Sequence, residues 1–167
     1  MQNPPLKVTA LIAAIAAIVL SVIGLVVELF GLSSVIAGIT LVAGTPGANA
    51  MFWVNTALAV VMSLIGLLLC LGGGTAAVLA FVKRTTKPLL VVAALNAVYI
   101  LLGDLLLAGG MNLYAIYNMV SMEVPTALIA TTVSGVVVAL LMSLVMLVVW
   151  IVIAAFSVKG NQVIDED

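Results

Sequence analysis

Charged residues are scarce in this chain, and histidine is missing from it altogether. Lys, Arg, Asp and Glu together make up 7% of the 167 residues. A soluble domain carries about 25% charged residues and must cover its surface with polar groups. Four buried helices of a soluble protein are therefore the disfavoured alternative, and lipid is the expected solvent for much of the surface. The missing histidine removes the commonest general base and the commonest metal ligand.

Other absences narrow the range of functions. The single cysteine, Cys70, has no partner for an internal disulfide, and a lone thiol does not make a metal site. Basic residues number five and form no stripe, and the net charge is −1, so nucleic acid is not an expected partner. There is no serine-centred catalytic motif and no pair of catalytic groups. We therefore predict no enzymatic activity, no cofactor and no metal.

Long apolar segments dominate what is present, since 66% of the residues are hydrophobic. Each segment exceeds the roughly 20 residues that a helix needs to cross a bilayer core. The sequence predicts an all-α integral membrane protein with a single transmembrane domain, folded as an antiparallel bundle of four transmembrane helices. The predicted helices cover residues 8–30, 52–82, 88–109 and 124–158.

The basic residues indicate the orientation of these spans. They fall in three places, which are Lys7, the short turn 83–87 and Lys159. An even number of spans puts all three on one side, and the other two loops contain no Lys or Arg. The positive-inside rule then predicts a cell-membrane protein with both termini and this turn in the cytoplasm. A cleaved signal peptide is a weaker explanation of the first segment, whose apolar run exceeds the 7–15 residues of a signal core.

Two outer loops are expected, at residues 31–51 and 110–123. A helix running from residue 8 to residue 43 would be about 54 Å long, whereas the hydrocarbon core is only about 30 Å thick. We therefore expect the chain to break near Gly31, followed by a turn in the "GTPGANA" stretch at 44–50.

Aromatic residues cluster in and beside these outer loops. Tyr114 and Tyr117 lie in the second loop, and Phe52 and Trp53 begin the second helix. An aromatic belt at the membrane surface is the favoured interpretation, and a partner-binding surface is the alternative.

Small residues recur at spacings of three and four, which places them on one face of a helix. In lipid, helices associate where small residues let their backbones approach. The "LGGGT" stretch resembles a phosphate-binding loop, but it lacks the Lys-Ser/Thr ending, so packing is the favoured role of its glycines. The predicted packing residues are Ala14, Ala17, Ser21 and Gly24 in the first helix, Ser63, Gly66 and Gly73 in the second, and Gly135 and Ala139 in the fourth.

Two acids lie inside apolar runs, and they are the candidate proton or cation site. Asp104 is about 25 Å along a helix from Lys87, and Glu28 is about 31 Å from Lys7. Both are thus expected at similar depth, toward the outer boundary of the core. Ionisable residues in a membrane are functional candidates, but acids at an interface or bonded to a neighbouring helix are the favoured interpretation. Asn96 is expected to bond between helices.

With no soluble domain to bind a signal, the expected function is that of a non-catalytic accessory or structural subunit of a larger membrane complex. Its expected partners are the lipid bilayer and other membrane subunits or further copies of the chain. The alternative is a small oligomeric transporter or channel that uses Glu28 and Asp104 for a proton or cation.

Overall fold

Helices account for nearly all of the described chain. The computed structural model describes residues 7–42 and 50–161, and no strand occurs among them. The elements in chain order are α1 (Val8–Val42), α2 (Ala50–Lys83), α3 (Lys87–Tyr99), a π-helical segment (Ile100–Ala108), α4 (Gly109–Ser121) and α5 (Thr126–Asn161).

Within the described part of the chain, four stretches of helix are long and apolar enough to cross a membrane, which confirms that part of the prediction. They are Val8–Thr40, Phe52–Lys83, Lys87–Ser121 and Thr126–Gly160. The third stretch runs through α3, the π-helical segment and α4 without interruption. Helices suit such sequences because every backbone N–H and C=O must find a partner inside the segment when lipid is the solvent.

The helices end at residues whose backbone conformation stops them. Arg84 follows α2 with a φ of 55°, and Glu123 follows α4 with a φ of 54°. Such left-handed residues commonly terminate helices. Pro88 lies in the first turn of α3 and Pro125 directly precedes α5, where a missing N–H costs little.

One end of the molecule brings together the start of α1, the turn between α2 and α3, and the end of α5. The buried hydroxyl of Thr86 donates a hydrogen bond to the carbonyl oxygen of Ser157 at 2.7 Å. A Cβ on Gly160 would lie 3.1 Å from the Cβ of Ala10. We call this the basic end, because all five basic residues lie beside it: Lys7, Lys83, Arg84, Lys87 and Lys159. The apolar end comprises residues 30–40, 52–58 and 109–134, in which Glu123 is the single charged residue.

The main core lies on the side of the basic end and is built largely from alanine. Helix α1 packs against α2 and α5, and α3 also packs against α2 and α5. Small side chains let α1 and α2 approach closely, while larger ones from α3 and α5 fill the space between them. The core residues are Ala13, Ala14, Ala17, Ala76, Ala77, Ala80, Leu89, Ala93, Ile100, Trp150 and Ile153.

The expected chain break near Gly31 is wrong, since α1 continues through Gly31 to Val42. The hydroxyls of Ser33 and Ser34 both donate to the carbonyl oxygen of Phe30. These polar groups are satisfied within the helix, so they do not interrupt it. The turn expected at 44–50 lies almost entirely outside the described residues.

The second outer loop expected at 110–123 is also mostly helical. Helix α4 covers it as far as Ser121, so the connection to α5 shrinks to residues 122–125. The backbone N–H of Met122 still donates to the carbonyl oxygen of Asn118 at 3.0 Å. Tyr114 and Tyr117 are therefore exposed residues of a helix and not of a loop.

Most of the predicted packing residues do lie between helices. Those that are buried are Ala14, Ala17, Ser21, Gly66 and Gly73, and those that are half-buried are Gly24 and Ser63. Gly135 and Ala139 are exposed, and no atom of the described residues lies within 4 Å of a Cβ placed on Gly135. These two residues therefore face away from the other described helices of the chain.

Candidate functional site

The candidate site begins with the close contact between α1 and α2. A side chain on one helix repeatedly faces a glycine on the other. A Cβ on Gly24 would lie 2.5 Å from the Sγ of Cys70, and a Cβ on Gly73 would lie 2.6 Å from the Oγ of Ser21. The same arrangement continues at Gly66, where a Cβ would overlap the Glu28 carboxyl group. The small-residue stripe thus creates the space that Glu28 occupies.

Tyr99 connects Glu28 to the third span. Its hydroxyl oxygen lies 2.9 Å from the carbonyl oxygen of Met62 and 3.3 Å from Oε1 of Glu28. The Ser63 side chain also approaches the Glu28 carboxyl group. A phenol has one hydrogen to donate, and a backbone carbonyl can only accept. The single hydrogen of the phenol is therefore shared between two acceptors, the carbonyl oxygen of Met62 and Oε1 of Glu28.

The π-helical segment determines which way Asp104 faces. In an α-helix, five residues advance by about 500°, so Tyr99 and Asp104 would lie roughly 140° apart. The i→i+5 pattern of a π-helix brings residues five apart nearly into line. The π-helix is rare in proteins, and its usual form, a single π-helical turn within an α-helix, is often found at functional sites. Here the stretch is nine residues long and contains Asp104 at its centre.

Glu28, Tyr99 and Asp104 line one cavity between all four long helices. Its volume is about 160 Å³. We call it the acid cavity, and its remaining wall is mostly apolar. Besides these three residues it is lined by Leu20, Ile23, Gly24, Val27, Gly66, Cys70, Asn96, Ile100, Met142, Ser143, Met146 and Trp150. Asp104 also borders a second cavity of about 220 Å³ on the side of Met62 and Met111.

Asn96 lies at the wall of the acid cavity and is 4% exposed. Its side-chain nitrogen donates to the carbonyl oxygen of Val92 at 3.0 Å and to that of Leu69, on α2, at 3.5 Å. The amide thus bonds both within its own helix and across to α2.

Trp150 separates the acid cavity from the basic end. The indole is 2% exposed, and its Cη2 lies 3.1 Å from where a Cβ of Gly73 would be. Beyond it lies the alanine-rich core with Leu89 and Ile153. Among the described residues, the buried polar side chains outside the cavity are Ser21, Thr86 and Ser157.

The polar groups of the side chains that line the cavity are two carboxyl groups, a phenol, an amide, a thiol, the hydroxyl of Ser143 and the indole N–H of Trp150. Among residues 7–42 and 50–161, no group of three or more His, Cys, Asp or Glu side chains converges on a point where a metal could bind. Sequence analysis singled out Glu28, Asp104 and Asn96, and it missed Tyr99 and Trp150. The sequence does not show which residue an aromatic side chain in an apolar run contacts. The spacing of five residues between Tyr99 and Asp104 could nevertheless be read from the sequence.

No protein-family model, no curated protein and no solved structure matches the chain. Functional inference therefore rests on the geometry of the chain itself.

Proposed function

We propose that this protein is a non-catalytic accessory or structural subunit of a larger membrane complex. We further propose that its four helices form an antiparallel bundle in the cell membrane, with both termini in the cytoplasm. The clustering of all five basic residues beside one end of the molecule supports this orientation, because such residues favour the cytoplasmic side.

The observation that carries the proposal is the length and surface of the apolar end. The four long stretches of helix contain 32 to 35 residues, or about 48–53 Å of helix. A bilayer measures about 40–45 Å including its headgroups, and a tilt of about 20° shortens a helix by only about 6%. With the basic end at one membrane surface, the apolar end extends into or beyond the opposite headgroups.

The surface that extends there is apolar and almost uncharged. Its exposed side chains include Ile36, Leu113, Tyr117, Met122 and Leu128. A large apolar patch that is exposed on the surface of a protein marks an interaction site. The partner we propose is a membrane subunit that covers this surface with apolar side chains of its own.

Helix α5 offers a place for a partner helix. Gly135 and Ala139 lie four residues apart on an exposed face, with open space around Gly135. Small residues at this spacing let a second helix approach closely. Because α5 does not use this pair inside the chain, the pair is free for a neighbouring subunit.

The test is to purify the tagged protein gently from its own membrane as wild type, Gly135→Leu and Ala94→Leu. Ala94 is the matched control, because it is a small, exposed helical residue that lies on α3, outside the apolar end. We expect the Gly135 variant to lose the larger subunits that accompany wild type, and the Ala94 variant to retain them, at equal thermal stability. Equal recovery of partners with both variants would contradict the proposal, as would a change confined to the oligomer of the chain itself.

A second candidate function is that of a small oligomeric transporter or channel for a proton or cation. The meeting of Glu28, Tyr99 and Asp104 in one cavity favours it, since membrane-embedded acids mark ion and proton pathways. The closed core beyond Trp150 requires a conformational change before any ion could cross.

Flux through proteoliposomes separates this second candidate from the first. Under the transport hypothesis, Glu28→Gln and Asp104→Asn abolish proton or cation flux, whereas Glu123→Gln, an acid outside the cavity, leaves it unchanged. An absence of flux in wild type, or equal flux in all variants, would rule out the transport role and leave the subunit role.

A further inference from the structure

We propose that the π-helical segment (Ile100–Ala108) is a conformational switch that moves Asp104 into and out of the acid cavity. In the structure the segment follows the i→i+5 pattern, and Asp104 lines the cavity together with Tyr99. In the second state the same residues form an ordinary α-helix, and Asp104 turns away from Tyr99. This inference goes beyond both candidate functions, because the change of conformation does not depend on whether the chain is a subunit or a transporter.

The residues of the segment themselves favour the α-helical register. Their sequence, ILLGDLLLA, contains five leucines and an alanine, which are among the best α-helix formers, and no proline. An α-helix precedes the segment and another follows it. Because the π-helix is rare in proteins, contacts from outside the segment must hold these residues in the π-helical register.

Met62 on α2 supplies such contacts at both ends of the first π-helical turn. Its carbonyl oxygen lies 2.9 Å from the hydroxyl oxygen of Tyr99, directly before the segment. Its Cε occupies the space where a Cβ of Gly103 would lie, and Gly103 is buried. The local sequence and the contacts between helices thus favour different registers. Such a conflict is the condition under which one sequence populates two conformations.

The far end of the segment lies at the border between the two registers. The backbone N–H of Gly109 is shared between the carbonyl oxygens of Asp104, five residues back, and Leu106, three residues back. The α-helical acceptor is the carbonyl oxygen of Leu105, which lies between these two in the chain. A small change of backbone angles therefore exchanges one pattern for the other.

The packing on the two sides of the segment determines which part moves. Helix α3 is anchored by its buried residues Leu89, Ala93 and Asn96, whereas Gly109 is the one buried residue of α4. A change of register therefore leaves α3 in place and turns Asp104 and α4 about the helix axis.

The change of register shifts the side chains that face the neighbouring helices by about one residue. With five residues per π-helical turn, Gly103 lies about 290° and Asp104 about 360° from Tyr99. At 100° per residue in an α-helix, Leu102 lies about 300° from Tyr99 and Gly103 about 40° beyond a full turn. Leu102 thus takes the direction of Gly103, and Gly103 takes that of Asp104. Asp104 itself then lies about 140° from Tyr99, so the acid cavity keeps Glu28 as its one carboxyl group.

Disulfide crosslinking in the full chain distinguishes the two registers. In a Cys70→Ser background, Met62→Cys is combined with Gly103→Cys, which reports the π-helical register, or with Leu102→Cys, which reports the α-helical one. Met62→Cys also makes room at Gly103, because it removes the Cε that lies there. The chain is oxidised in proteoliposomes with copper phenanthroline, and mass spectrometry of the digested chain measures each crosslink. We expect both pairs to form.

A third pair controls for random collisions. Met62→Cys with Leu101→Cys should not crosslink, because Leu101 points at least about 90° away from the direction of Gly103 in both registers.

Removal of one hydroxyl should shift the equilibrium. Tyr99→Phe loses the contacts with Met62 and Glu28 that hold the π-helical register. We expect the ratio of the Leu102 crosslink to the Gly103 crosslink to rise roughly two- to tenfold, the net effect of one hydrogen bond. Tyr114→Phe, on an exposed tyrosine of α4, is the matched control and should leave the ratio unchanged.

Backbone ¹³C NMR of the chain without substitutions gives a second readout, which decides alone if circular dichroism shows that a cysteine variant is unfolded. We expect doubled or exchange-broadened resonances for residues 100–108 and single sharp ones for residues 88–93. The proposal is overturned if only one of the Gly103 and Leu102 pairs crosslinks, if the Leu101 pair crosslinks equally well, or if Tyr99→Phe leaves the ratio unchanged. Single sharp resonances throughout residues 100–108 would overturn it too.

Discussion

Glu28 owes its position to the absence of a side chain at Gly66. A Cβ there would overlap the Glu28 carboxyl group and lie 2.9 Å from the Tyr99 hydroxyl oxygen. The glycine that lets α1 and α2 approach thus also provides the space in which a polar group is held. The packing of α1 against α2 and the position of the Glu28 carboxyl group thus both depend on the missing side chain at Gly66.

Alanine substitutions at two glycines of α2 test this dependence. Gly66→Ala should lower the melting temperature in detergent, since overpacking costs about 1–3 kcal/mol. Gly72→Ala is the matched control, because a Cβ there makes only ordinary contacts with Val92, 3.7 Å away at the closest. Alanine is a better helix former than glycine by about 1 kcal/mol, so the control should be neutral or stabilising. Equal melting temperatures for the two variants would contradict the packing described here.

The polar residues of the site were visible in the sequence, but their partners were not. Glu28, Asp104 and Asn96 stand out because polar groups are rare in apolar runs. Tyr99 did not stand out, and nothing predicted that it faces Glu28. In lipid, the interior and exterior faces of a helix are both apolar, so hydropathy does not fix helix rotation. The rotation of each helix about its own axis is set by the packing of small residues and, in the third span, by the π-helical segment.

At the scale of elements, two features escaped prediction for different reasons. The sequence analysis missed the continuation of α1 beyond Gly31 because it limited the length of the helix to the thickness of the hydrocarbon core, about 30 Å. The backbone itself has no reason to stop there, since serine hydroxyls bond back to Phe30 and no proline intervenes. The π-helical segment was missed because no simple residue pattern marks it, and Gly103 and Asp104 are its sole departures from an aliphatic run.

A nitroxide scan over residues 31–40 tests the continuity of α1. Each residue in turn is replaced by cysteine in a Cys70→Ser background and labelled. We expect the accessibility of the label to oscillate with a period of 3.6 residues across the whole range, as on a helix. Loss of that period after Gly31 would restore the chain break that the sequence suggested.

At the scale of the whole molecule, the two ends differ in packing and in charge. The basic end is closed by the alanine core, Trp150 and the bond from Thr86 to Ser157. The acid cavity lies between this core and the apolar end, whose exposed surface is nearly uncharged. The number of long apolar helices could be predicted from hydropathy alone, whereas this asymmetry needed the contacts between helices.

Cysteine labelling in intact cells tests the proposed orientation. With Cys70→Ser as background, Thr85→Cys should resist a membrane-impermeant maleimide until the cells are opened. Glu123→Cys, on an exposed residue at the apolar end, should react in intact cells. The reverse pattern would place the basic end outside and contradict the positive-inside assignment.

Native mass spectrometry of the wild-type protein, extracted from its own membrane in a polymer disc, tests the central claim of a subunit role most directly. We predict a stoichiometric complex in which this chain of 17.1 kDa accompanies larger membrane subunits. Recovery of the chain only as a monomer or as a homo-oligomer, from discs that keep other membrane complexes intact, would contradict that claim and leave the acid cavity as the leading functional site.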